Sequence, residues 1–232
     1  MRYYAYSSAQ IEKIALDLLS SFDNERLIKT KPIDVYEVIE KCLIVPYDWK
    51  YITPDQSILG ATAFSDGYFW AWPESRYREG MKPFKVEAKK GTIIIDSTLT
   101  EGDNRGRENF TVMHEVFHQI LHMKCFKDEG RNYMHSTYSR TIDGIIQCES
   151  YALKAIERQA NAGAAAFLMP ADLVKKEYNE RYMSAGFASR RPGFMWNLIK
   201  DMSKDFCVSK QAMSYRLQNL YLINDKEENL IK

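Results

Sequence analysis

The sequence predicts an α+β fold: a small antiparallel sheet packed against helices, ending in a helix-turn-helix-like pair. Three observations lead there. Helical spacing of apolar residues opens the chain, short β-rich runs occupy its middle, and longer helical patterns return after about residue 107. At the start, Ile11, Ile14, Leu18 and Phe22 share one helical face over residues 9–22, with Ser7 and Ser8 as candidate caps. A short second helix is expected after Pro32, running through Val35, Val38 and Ile39 and ending near Cys42. The runs 58–64, 68–72 and 92–96 are strand-like, and the turn-forming stretches between them predict an antiparallel meander. A helix over 107–123 follows, then a polar loop from Lys124 to Asp143 and an Ala-rich helix from Ile145 to Phe167 that Pro170 stops. Asp172 is a candidate cap for the next helix, and Arg190-Arg191-Pro192-Gly193 breaks the chain before two short C-terminal helices. These breaks divide the chain into residues 1–190, the main domain, and 191–232, the C-terminal segment.

Composition excludes several functions. The 32 Lys and Arg balance 31 Asp and Glu, so no overall field draws nucleic acid or an acidic membrane. The four cysteines, Cys42, Cys125, Cys148 and Cys207, lie far apart, which predicts reduced thiols and a cytoplasmic protein. No run approaches the roughly 20 apolar residues of a membrane helix, and the first residues lack the apolar core of a secretory signal.

The chemistry concentrates at His114-Glu115-Val116-Phe117-His118. Residues four apart on a helix differ by about 40° around its axis, so both imidazoles leave one face and can share one metal ion. Glu115 lies about 60° from His118, where its carboxylate reaches a water near the metal without ligating the ion. Behind them Phe110, Met113, Phe117, Ile120 and Leu121 form a stripe expected to anchor the helix. A catalytic zinc takes three protein ligands and leaves one position open. Glu157 is the favoured third ligand, with Asn161 one turn later able to orient a ligand histidine; Glu149 and, more weakly, Asp143 compete. The small residues Ala160, Ala162, Gly163, Ala164 and Ala165 predict a close approach of the two helices. His122 lies a third turn along, about 6 Å beyond His118, too far for one tetrahedral ion, and reads as a structural or supporting residue. Tyr133, His135, Tyr138 and Arg158 are the candidates for stabilising an oxyanion, and the sequence does not choose among them.

The segment Phe110 to His118, preceded by Ile93-Ile94-Ile95-Asp96, resembles the first signature of the ImmA/IrrE family of metallopeptidases. Glu157 to Pro170, with Glu four residues before Asn and a closing Leu-Met-Pro, resembles its second, and Val208 to Leu217 its usual ending. The resemblance implies a Zn2+-dependent endopeptidase of bacteria, phages and mobile elements that cleaves or inactivates a helix-turn-helix repressor and so releases gene expression. It implies His114, His118 and Glu157 as metal ligands and Glu115 as general base. Phe117 departs from the family pattern, standing where many members have Gly, and Gly163 stands where many have Phe. The loop from Lys124 to Cys148 is long for the family.

The C-terminal pair carries Ile199, Met202 and Phe206, then Ala212, Met213, Leu217 and Leu220, with Ser209 as a cap. As a helix-turn-helix it would present Lys210, Gln211, Ser214 and Tyr215 to a DNA groove. Residues 190–216 hold six basic and two acidic residues, a local +4. That is a modest phosphate-binding contribution, so packing on the main domain or docking of a protein substrate is the stronger expectation. The competing function is a regulator that binds DNA or a repressor and carries a non-catalytic metal site.

Overall fold

Ser7 accepts a hydrogen bond from Gln10 N, and the Gln10 side chain accepts one from Ser7 N, a reciprocal cap that opens helix α1 (Ser8–Asp23). In this computed structural model, which describes residues 4–126, 134–138 and 151–224 (of 134–138 and 190 the backbone only), α1 is the first of seven α-helices among the described residues. Asp34 caps α2 (Val35–Val38), whose last residues continue as a π turn over Ile39–Leu43. The predicted second helix is therefore one short α-turn and one wide turn, closed by Ile44 at φ 53°.

The predicted meander is replaced by two separate sheets. Strands β1 (Tyr47–Lys50), β2 (Ile58–Ala63), β5 (Ile93–Asp96) and β6 (Met134–Tyr138) form a four-stranded sheet in the order β1-β5-β2-β6. β1 runs parallel to β5, whereas β2 is antiparallel to both β5 and β6. Strands β3 (Gly67–Ala71) and β4 (Phe84–Ala88) make an independent antiparallel hairpin. Sequence reading missed β1 because Tyr-Asp-Trp-Lys carries no apolar run. Its partner, by contrast, is apolar on both sides, as a strand covered on two faces must be. Ile93 and Ile95 join the core beneath the helices, while Ile94 packs on the opposite face with Ile52 and Ala61. Asp96, fully buried, ends the strand usefully: its Oδ2 accepts Ile52 N at 2.8 Å and its Oδ1 accepts Thr98 N at 3.0 Å.

The helices supply the rest of the core. α3 (Arg105–His122) lies between the sheet and α4 (Tyr151–Leu168), and α1 packs on α4. Ala160, Gly163 and Ala164 of α4 are buried, so the small-residue approach holds. The anchoring stripe on α3 is only partly as expected. Met113, Phe117 and Leu121 are buried and Phe110 is partly so, but Ile120 remains 38% exposed. Burial instead extends around the helix from Val112 to His118, because both the sheet and α4 cover it.

After Pro170, α5 (Ala171–Ala185) begins directly, and Asp172 sits inside its first turn rather than at the cap. Gly193, at φ 82°, leads into α6 (Phe194–Asp205), and Ser209 caps α7 (Lys210–Asn219) through Ala212 N at 3.1 Å. Met202, Phe206, Met213 and Leu217 of this pair join the same apolar cluster as α1, α3 and α4. Two polar clasps reinforce that docking. Asn109 Nδ2 donates to Cys207 O at 2.9 Å, and the buried Arg216 donates to Met169 O at 2.9 Å and to Glu12 Oε1 at 2.6 Å. Of the four residues expected to face a groove, Lys210, Gln211 and Tyr215 are exposed, but Ser214 is buried against the core. Among the described residues no helix is long and apolar enough to cross a membrane.

Candidate metal centre

Helix α3 presents His114 and His118 one turn apart, as the spacing requires, and their Nε2 atoms approach to 2.8 Å. From α4, Glu157 reaches the same point, with Oε2 3.3 Å from His114 Nε2 and Oε1 3.4 Å from His118 Nε2. One ligand atom from each of the three residues lies within 4.8 Å of the others. Two imidazoles and a carboxylate suit a divalent transition metal.

Electrostatics mark the same point. Two imidazole nitrogens that both keep lone pairs repel at 2.8 Å, so a proton or a metal cation has to stand between them. Burial and the neighbouring His114 push the His118 pKa down to about 3, which keeps it neutral. Burial opposes charge on His114 as well, yet the Glu157 hydrogen bond and charge, together with Glu115, outweigh it and raise its pKa. Glu157 thus favours positive charge at the point where a cation would sit. Access is uneven: both histidines are buried, whereas the Glu157 side chain keeps 21% exposure.

Each imidazole is gripped from behind. His114 Nδ1 lies 3.0 Å from Asn161 Oδ1, within hydrogen-bond distance of the amide that sequence reasoning placed beside it. His118 Nδ1 lies 3.0 Å from His122 Nδ1, which in turn places Nε2 3.0 Å from Gln159 Oε1. Phe64 stands edge-on to the His118 ring at 6.1 Å between centroids.

Glu115 is not one of the three converging residues. It is fully buried against β2, where Thr62 Oγ1 donates to its Oε2 at 2.7 Å. A Cβ at Gly60 would lie 2.7 Å from Glu115 Oε1, so only glycine leaves room for this carboxylate. Sequence reasoning missed Gly60, Thr62 and Gln159. Only the β-rich run 58–64 hinted at the first two, and nothing in it linked either to α3.

The remaining candidates do not gather as neatly. Arg158 is exposed on α4. β6 pairs His135 with Thr62 and Tyr138 with Ile58, and the side chains of both lie outside the described residues. Tyr133, Asp143 and Glu149 also lie outside them.

A search of curated proteins found no match to the chain. Residues 80–218, which are 139 of the 232, match the family described as Peptidase_M78, IrrE N-terminal-like domain. That span contains α3 with its histidines, α4 with Glu157, α6, and α7 up to its penultimate residue. The chain therefore belongs to the M78 peptidase family, the metallopeptidases of the IrrE/ImmA type.

Proposed function

We propose that this protein is a zinc-dependent endopeptidase that hydrolyses a peptide bond in a protein substrate, a helix-turn-helix transcriptional repressor. The observation that carries the reading is the convergence of His114 and His118 of α3 with Glu157 of α4, beside a separately held carboxylate, Glu115 of α3. The 2.8 Å between the Nε2 atoms is within roughly 0.6 Å of the spacing of two nitrogens around one tetrahedral zinc. When bound, zinc polarises the scissile carbonyl and lowers the pKa of a neighbouring water to about 7.

The chain's own groups do the rest. His114, His118 and Glu157 hold the ion, and because they come from only two packed helices the ligand geometry is set before metal arrives. Glu115, kept out of the ligand set by Thr62, accepts the proton of the attacking water and returns it to the leaving amine. Oxyanion stabilisation falls to one of Tyr133, His135, Tyr138 or Arg158. The repressor as substrate rests on the family resemblance, and a cytoplasmic site of action on the widely spaced cysteines.

The binding-only alternative has less support. Arg216, one of the basic residues counted toward a DNA face, is buried in its pair with Glu12. Glu115→Gln tests the enzyme reading: it should retain zinc and lose cleavage of the repressor, since only the proton acceptor changes. Wild-type cleavage rates in that variant would contradict it.

A further inference from the structure

We propose that His122 and Gln159 are positioning residues that fix the tautomer of His118, through a hydrogen-bonded chain beginning at the backbone carbonyl of Tyr4. The inference rests on the metal-centre reading above and concerns how that centre is made ready.

Tyr4 O can only accept, and Gln159 Nε2 donates to it at 2.9 Å. With the amide reversed, Gln159 would set its own oxygen against that carbonyl, oxygen to oxygen. The orientation is therefore fixed, and Gln159 Oε1 faces His122 Nε2 at 3.0 Å as an acceptor. His122 must then carry its proton on Nε2. Neutral imidazole has one N–H, so His122 Nδ1 is left as an acceptor. That atom lies 3.0 Å from His118 Nδ1, which must accordingly be the donor. His118 is thereby left with its lone pair on Nε2, the atom that meets His114 and Glu157.

Every link is protected from water. His118 and His122 are fully buried and Gln159 is nearly so, which makes a wrongly placed proton costly because it would leave a buried donor or acceptor unmatched. A doubly protonated His122 would satisfy both contacts only by burying a cation at 0% exposure. The chain also ties three parts of the fold together: the segment before α1, helix α4 and the last turn of α3. Asn161 performs the matching task for His114 directly, so the two ligands are oriented by different means. One uses a single amide; the other uses a histidine and an amide in series.

The test uses the full-length protein with 15N-labelled histidine and zinc affinity measured against a competing chelator. In the wild type, ring-nitrogen shifts should give His122 as the Nε2–H tautomer and His118 as the Nδ1–H tautomer. His122→Phe, which removes the acceptor, should weaken zinc binding by about 10–100-fold and alter the visible spectrum of the cobalt-loaded protein. His122→Gln, which returns an acceptor oxygen, should recover much of that loss. Gln159→Met should leave His122 as a mixture of tautomers. A wild-type His122 protonated on Nδ1 overturns the proposal, and needs no variant to fold. So does zinc binding in His122→Phe equal to wild type with an unchanged cobalt spectrum. If instead the wild type binds no zinc, the metal-centre reading itself fails, a different outcome from either of these.

Discussion

The ring of Phe117 on α3 occupies the space that any side chain at position 163 of α4 would need. A Cβ on Gly163 would lie 2.1 Å from Phe117 Cδ1 and 2.4 Å from its Cγ. Both residues are buried. The two positions at which the sequence departs from the pattern it resembles therefore face each other across a helix pair, with the ring on α3 and the space for it on α4.

That pairing predicts strong coupling. Gly163→Ala should destabilise the protein by about 1–3 kcal/mol through overpacking, and Phe117→Gly by at least about 3–5 kcal/mol through the cavity. The double variant Phe117→Gly/Gly163→Phe should regain much of the loss. Denaturant unfolding measures all three. Simply additive effects would contradict the pairing.

Gly60 and Thr62 should govern Glu115 without touching the metal ligands. Thr62→Val removes a hydroxyl that donates to a buried carboxylate, an interaction of about 1.5–3 kcal/mol. Gly60→Ala forces Glu115 Oε1 to move. Both variants should keep zinc near one equivalent while cleavage of a peptide library falls at least tenfold. Unchanged cleavage would remove Thr62 and Gly60 from the account.

Arg216 should matter for stability and not for charge at the surface. Arg216→Met removes the buried donor to the Met169 carbonyl and the cationic partner of Glu12, which keeps its hydrogen bond from Ala171 N, at about 1–3 kcal/mol by thermal or denaturant unfolding. A neutral result would mean that α7 is not held as described.

Metal binding should release a proton. The raised pKa of His114 means that the metal-free centre gains a proton that unfolded histidine would have lost, and zinc must displace it. The sign follows. Apparent zinc affinity should rise with pH until His114 is neutral without metal, then level off. Calorimetry in buffers of different ionisation enthalpy should detect a proton release that shrinks as pH rises. Release of none would place the charge elsewhere.

How much of this was legible beforehand depended on the range of the interaction. The facing of His114 and His118 follows from helix geometry, and Ser7 and Ser209 cap their helices through contacts three residues away. Glu157 was nameable because its helix also carries Asn161 and a small-residue face. What escaped was set by distant partners. β1 joins the sheet only because β5 offers it an edge. Asp172 is no cap because Pro170 already starts the helix, and Ile120 is exposed because the sheet and α4 bury a different arc of α3. Thr62 meets Glu115 across 53 positions, and Gln159 meets Tyr4 across 155. No periodicity records such a pairing.

The most direct measurement is the zinc content of purified wild-type protein beside His114→Ala and Glu157→Ala, by elemental analysis after dialysis. One equivalent in the wild type and none in either variant is the predicted result. Full retention of zinc in Glu157→Ala would contradict the three-ligand centre and move the third ligand to another residue.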